Sequence, residues 1–174
     1  MIPIVQDIWN WITEFVETNH EFYNYKFPPC PYARSARLAG TVDVQAWPRG
    51  SINQFIQQQA RDLVADPKLQ IRVLVFPAWV RWHWLLHRWI ERYNQQLIPQ
   101  DYYAQYGLAN GTESQYPGWF QGRPYFIVII NQLSDVLSAH SALVNTDYYS
   151  SWTAAHYHSV VERRQQAHDK HKGS

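Results

Sequence analysis

Hydrophobic residues recur with a helical period from the start of the chain. Val5, Ile8, Trp9, Ile12, Phe15 and Val16 share a stripe while Asp7, Asn10, Glu14 and Glu17 face away, which predicts an amphipathic helix over residues 4–23. Residues 41–47 alternate apolar and polar with β-branched side chains, the pattern of a strand. Ser51 with Gln54 three residues on is a capping-box signature. It opens a helix through Ala65, with Ile52, Phe55, Ile56 and Leu63 inward, which Asp66-Pro67 ends. Leu69 to Phe76 is almost continuously Leu, Ile and Val, as a central buried strand is. After Pro77 the longest helix is predicted from Ala78 to Leu97, with Trp79, Trp82, Leu86, Trp89, Ile90, Tyr93 and Leu97 as its core stripe.

The second half is less regular. Residues 99–122 keep no period and read mostly as a long loop, with room for a short strand around Tyr102 to Tyr106. Tyr125 to Ile130 is the most strand-like run, and Ser134 to Leu143 reads as a helix. Thr146 or Asp147 is expected to cap a final helix to about Gln166, with Tyr149, Trp152, His156 and Val160 inward. Together these elements predict an α/β or α+β fold, a small, mostly buried sheet of three to five strands layered with about five helices and some parallel pairing. The expected organisation is a single domain over residues 1–168 and a frayed polar tail over 169–174.

Composition narrows the function classes. At 174 residues, with 46% hydrophobic and 17% charged residues, the chain has the makings of a folded core. A net charge of +1 gives no basis for non-specific nucleic-acid or membrane binding. No apolar run approaches the roughly 20 residues that span a bilayer, and no basic segment precedes an apolar block at the N-terminus. With one cysteine there is no internal disulfide, so a reducing, cytoplasmic location is expected. Nine Trp and twelve Tyr are the unusual feature, and some are candidates for lining a pocket or a partner surface.

The candidate chemistry gathers at residues 27–40. Pro28 and Pro29 bring the chain in extended, Pro31 suits a first helical position, and Gly40 suits a helix stop. That places Cys30 at the N-cap, with Arg34 and Arg37 returning on the same face. A thiol so placed is expected to ionise below the free value, and the same geometry attracts anions. The alternative is that Cys30 is a small buried residue beside a turn. His83 and His87 share a helix face at the spacing of metal ligands. No carboxylate has the right phase beside them, so the expectation is two half-buried shoulder histidines and no metal. The chain carries no GxGxxG, P-loop, GxSxG, CxxC or HExxH motif, and no cofactor is expected.

Cys30-Pro31-Tyr32 is similar to the glutaredoxin active site, although here it follows a helix and a Pro-Pro turn rather than the first strand. Cys30-Pro31-Tyr32-Ala33-Arg34 more closely resembles the Cys-Pro-Phe-Ala-basic motif of a bacterial family of domains of unknown function. Asp101-Tyr102 and Arg123-Pro124-Tyr125 resemble later segments of that family in the same order. Where the family carries a histidine before Asp-Tyr, this chain has Ile98-Pro99-Gln100. The resemblance implies a shared fold and brings no activity with it.

Two functional expectations follow. In one, Cys30 is the catalytic thiol of a small enzyme or sensor, and Arg34, Arg37, Asp101, Tyr102, Arg123 and Tyr125 bind a small anionic ligand. In the other, the protein is a non-catalytic interaction module whose partner docks on Trp84 and the aromatic segment from Tyr102 to Trp119.

Overall fold

Five consecutive buried residues, Arg72 to Phe76, mark β2 (Ile71–Pro77) as the middle of the sheet. The structure, a computed structural model, describes residues 3–77, 83–107 and 125–172. β1 (Val42–Ala46) lies parallel to β2, so the expected parallel pairing is present. β4 (Tyr125–Gln132) runs antiparallel on the other side of β2, with Val73 opposite Ile129. β3 (Tyr102–Gly107) forms the outer antiparallel strand beside β4 and gives the order β1-β2-β4-β3. The fold is therefore α+β, a small mixed sheet covered by helices. The short strand allowed for around Tyr102 to Tyr106 is present as this sheet edge, held by its pairing with β4 despite a weak period.

Alternation along the strands sends side chains to two faces. Leu74, Phe76, Phe126, Val128, Ile130, Tyr102 and Ala104 pack under α3 (Ile52–Ala65) and α4 (His83–Leu97). Val44, Val73, Val75, Tyr125 and Ile127 turn to the opposite face, under α1 (Pro3–Trp11) and the wider π turn that continues it over Ile12–Val16. On this face α5 (Leu133–Leu143) follows β4. Helix α6 (Ala154–Tyr157), a π turn (His158–Glu162) and α7 (Arg163–Lys172) follow one another, and α7 packs on α5 and reaches Glu91 of α4 through Arg163.

Several boundaries were written locally. The Ser51 hydroxyl accepts from Gln54 N at 3.3 Å and opens α3 as expected. Gly40, at φ +71°, ends α2 (Ala33–Leu38), with Gly40 N on Arg37 O and Thr41 N on Ala36 O, the paired bonds of a left-handed helix stop. Other boundaries moved. The first helix ends at Val16 rather than near residue 23. His20 accepts from Phe22 N, and Asn24 and Tyr25, both at positive φ, reverse the chain. Thr146 caps only a short turn over Asp147–Tyr149, and Thr153 starts the final helix, which runs to Lys172 through much of the expected tail. The predicted helix start at residues 78–82 lies outside the described residues. Among those described, no helix is long and apolar enough to cross a membrane.

Candidate functional site

Cys30 is fixed before α2 begins. In the π turn Glu17 N bonds to Ile12 O, five residues back, and Val16 O accepts from Cys30 N at 3.1 Å. Ala33 N then bonds to Cys30 O at 3.2 Å, so the helical turn starts after the cysteine and Tyr32 is the N-cap. The side chain packs with Ala33 against the core under α1. Burial pushes the Cys30 thiol above its ordinary pKa; N–H groups of Tyr32 and Ala33 and the charge of Arg164 oppose this, and Glu17 adds to it. The direction is the reverse of that expected from an N-cap position, because α2 is short and desolvation outweighs its few N–H groups.

Of the two arginines read as lying beneath Cys30, one is occupied elsewhere and the other is exposed. Arg37 donates through Nε and Nη2 to the two oxygens of Glu17, at 2.7 and 2.8 Å. The Glu17 carboxylate is almost fully enclosed, so this fork clamps α2 to the end of the first helix. Arg34 is exposed. Asp101 accepts from Ser134 N at 2.9 Å and from the Ser134 hydroxyl and Gln132 Nε2, capping α5 from a neighbouring segment. Tyr102 is buried with its hydroxyl toward Leu69 O, and Tyr125 donates to Asp7. Arg123, the segment 108–119 and the side chains of Trp84, His83 and His87 lie outside the description. Among the described residues, no three His, Cys, Asp or Glu side chains gather as a metal requires.

The cation whose charge reaches Cys30 is Arg164, from the start of α7. It sits behind the edge strand, on the face away from α3 and α4. Its Nη2 donates to Gln105 Oε1, and its guanidinium carbon lies 5.9 Å from the centre of the Tyr103 ring. Desolvation pulls its pKa down, and Tyr103, Cys30, Tyr149 and Tyr148 partly restore it. Among the described residues no carboxylate pairs with it. The residue as a whole is partly covered, while desolvation of its guanidinium sets that group inside the protein.

A polar and aromatic wall surrounds it. His140, on α5, has Nδ1 3.1 Å from the Tyr149 hydroxyl and Nε2 3.5 Å from that of Tyr157. Burial lowers the His140 pKa, and Arg164 lowers it further, so the ring is neutral at neutral pH. Burial pushes the Tyr149 phenol up to about 12. Behind these, Tyr148 stacks on Tyr23 at 4.7 Å and donates to Pro29 O at 2.5 Å, tying the wall to the Pro-Pro turn before Cys30.

Arg164 and His140 escaped the sequence reading, while Tyr149 was read only as inward-facing and Tyr103 and Gln105 only as part of the aromatic segment from Tyr102 to Trp119. One signal pointed to the first of them. The stripe Tyr149, Trp152, His156, Val160 lands on Arg164 when extended by one helical turn. An arginine on the buried stripe of a helix needs a partner, and its partner set is the unusual part. Comparison with protein-family models, curated proteins and solved structures gives no match to this chain.

Proposed function

We propose that the protein binds a small anionic ligand in the seam behind β3, as a ligand-binding or sensor protein, with Arg164 as the anion-binding group and Cys30 as part of the wall. One observation carries this reading: a desolvated guanidinium held by a neutral amide oxygen and an aromatic face, with no carboxylate paired to it among the described residues. Taking a cation out of water is costly unless an opposite charge or a full set of acceptors compensates. An arginine carries about five N–H donors, and Gln105 accepts from one nitrogen. An incoming oxyanion supplies what the protein leaves out. Two π turns adjoin the same place, Ile12–Val16 beside Cys30 and His158–Glu162 before Arg164, and such turns are frequent at functional sites. A reducing, cytoplasmic setting suits the unpaired Cys30.

Cys30 serves here as a protonated surface rather than a nucleophile. Its pKa is already raised, and a bound anion raises it further. Thermal melts with inorganic phosphate, sulfate and acetate test the reading. At least one is expected to raise the Tm of the wild-type protein and to leave Arg164→Met unmoved. Equal responses in both proteins, or none in either, overturn it. Alkylation against pH tests the thiol: Cys30 is expected to react slowly in native protein, with a midpoint above that of free cysteine. A native thiol faster than free cysteine at neutral pH restores the nucleophile.

A further inference from the structure

Resting on the reading of Arg164 as an anion site, we infer that the ligand is a monoanionic carboxylate on an aromatic or branched apolar body, and not a phosphate dianion. The first argument is charge. Arg164 is the cation that acts on Cys30, His140 and Tyr149 together. Neighbouring cations are already spent: Arg37 on Glu17, Lys26 on Asp147 and Arg163 on Glu91. His140, between two tyrosine hydroxyls, adds no charge at neutral pH. Among the described residues, with Arg34 exposed on α2, Arg164 is therefore the positive charge that acts on the seam. A carboxylate cancels it, whereas a dianion leaves one negative charge in a desolvated site within the field of Glu17.

The second argument is shape. A guanidinium presents parallel N–H pairs that match the two oxygens of a carboxylate. Gln105 already places one planar sp² oxygen on Nη2, so an oxygen of that hybridisation suits this position. The third is the wall. Tyr103 lies against the guanidinium, and the rings of Tyr149 and Tyr157 meet edge to face at 5.2 Å, with Tyr148 and Tyr149 at 4.9 Å. A group carried on a carboxylate paired with Arg164 would lie beside the Tyr103 ring, which favours an aromatic or bulky apolar group over a polar one.

Calorimetric titration of the full chain with benzoate, phenylacetate, acetate and phenylphosphonate decides between these chemistries, at about pH 8 where the phosphonate is a dianion. Benzoate or phenylacetate is expected to bind at least about tenfold more tightly than acetate or phenylphosphonate, about 1.4 kcal/mol. Arg164→Met is expected to abolish the heat, and Arg164→Lys, which keeps the charge but not the fork, to weaken it about tenfold. Tyr103→Leu is expected to narrow the preference for benzoate over acetate while acetate still binds. Phenylphosphonate binding as tightly as benzoate, and lost in Arg164→Met, overturns the carboxylate inference and leaves the anion site standing. Full benzoate affinity in Arg164→Lys overturns the bidentate part. No heat from any of the four, together with no Tm response to phosphate, sulfate or acetate, overturns the site itself. Circular dichroism on each variant separates lost binding from lost fold.

Discussion

Arg72 and Arg164 are both drawn in from solvent, on opposite faces of the sheet, and the fold treats them in opposite ways. Arg72 faces α3, where Nε meets Asp43 Oδ2 at 3.0 Å and Nη1 meets Gln59 O at 2.9 Å. Asp43 is its partner in strand register, so the β1–β2 pairing itself sets the ion pair. Arg164 faces the other way, onto an amide oxygen and a ring. A charge whose partners come from the strands that build the sheet is part of the architecture. A charge held by neutral partners, with N–H donors left over, is available to something else. The contrast separates two kinds of buried arginine that a sequence writes with the same letter.

The contrast breaks if both arginines respond alike to removal. Arg72→Ala takes from Asp43 its charged partner, leaving it Gln45, and opens a gap under α3; it is expected to cost about 3 kcal/mol in urea unfolding, with any anion-induced Tm shift retained. Arg164→Met goes the other way. Replacing an uncompensated cation by an apolar chain is expected to leave unliganded stability at or above wild type, by on the order of 1 kcal/mol. A loss as large as that of Arg72→Ala would assign Arg164 to the architecture as well.

The smallest effect is the most specific to the seam. The folded pKa of His140 is depressed below its ordinary 6.5. Its contribution to stability is therefore complete above that value and lost as pH falls toward the folded value, because the unfolded chain takes up the proton first. NMR titration of the His140 ring is expected to give a midpoint below 6.5 in the wild type and a higher one in Arg164→Met, from which the neighbouring charge is gone. A midpoint that ignores Arg164 would remove His140 from the field of the site.

Much of the fold was legible because its signals are local. Ser51 and Gln54 sit one helical turn apart, Gly40 needs only its own backbone angle, and the apolar run through Val75 announces burial wherever that strand lies. The candidate site was less legible. Cys30 was singled out from its neighbours, but the residues that set its chemistry come from distant segments. Tyr148 reaches Pro29 across 119 residues, and Arg164 arrives from the last helix. Arg37 looked like a companion of the thiol by helical spacing, yet Glu17, turned in by the end of the first helix, holds it with both oxygens. Period and capping arise from contacts within about four residues, so the sequence by itself determines elements and many of their ends. Which arginine meets a carboxylate and which meets only a ring depends on how elements pack, because a charge interacts with whatever the finished fold brings near it. Only the tertiary structure made that choice, giving Arg37 and Arg72 to the scaffold and leaving Arg164 open.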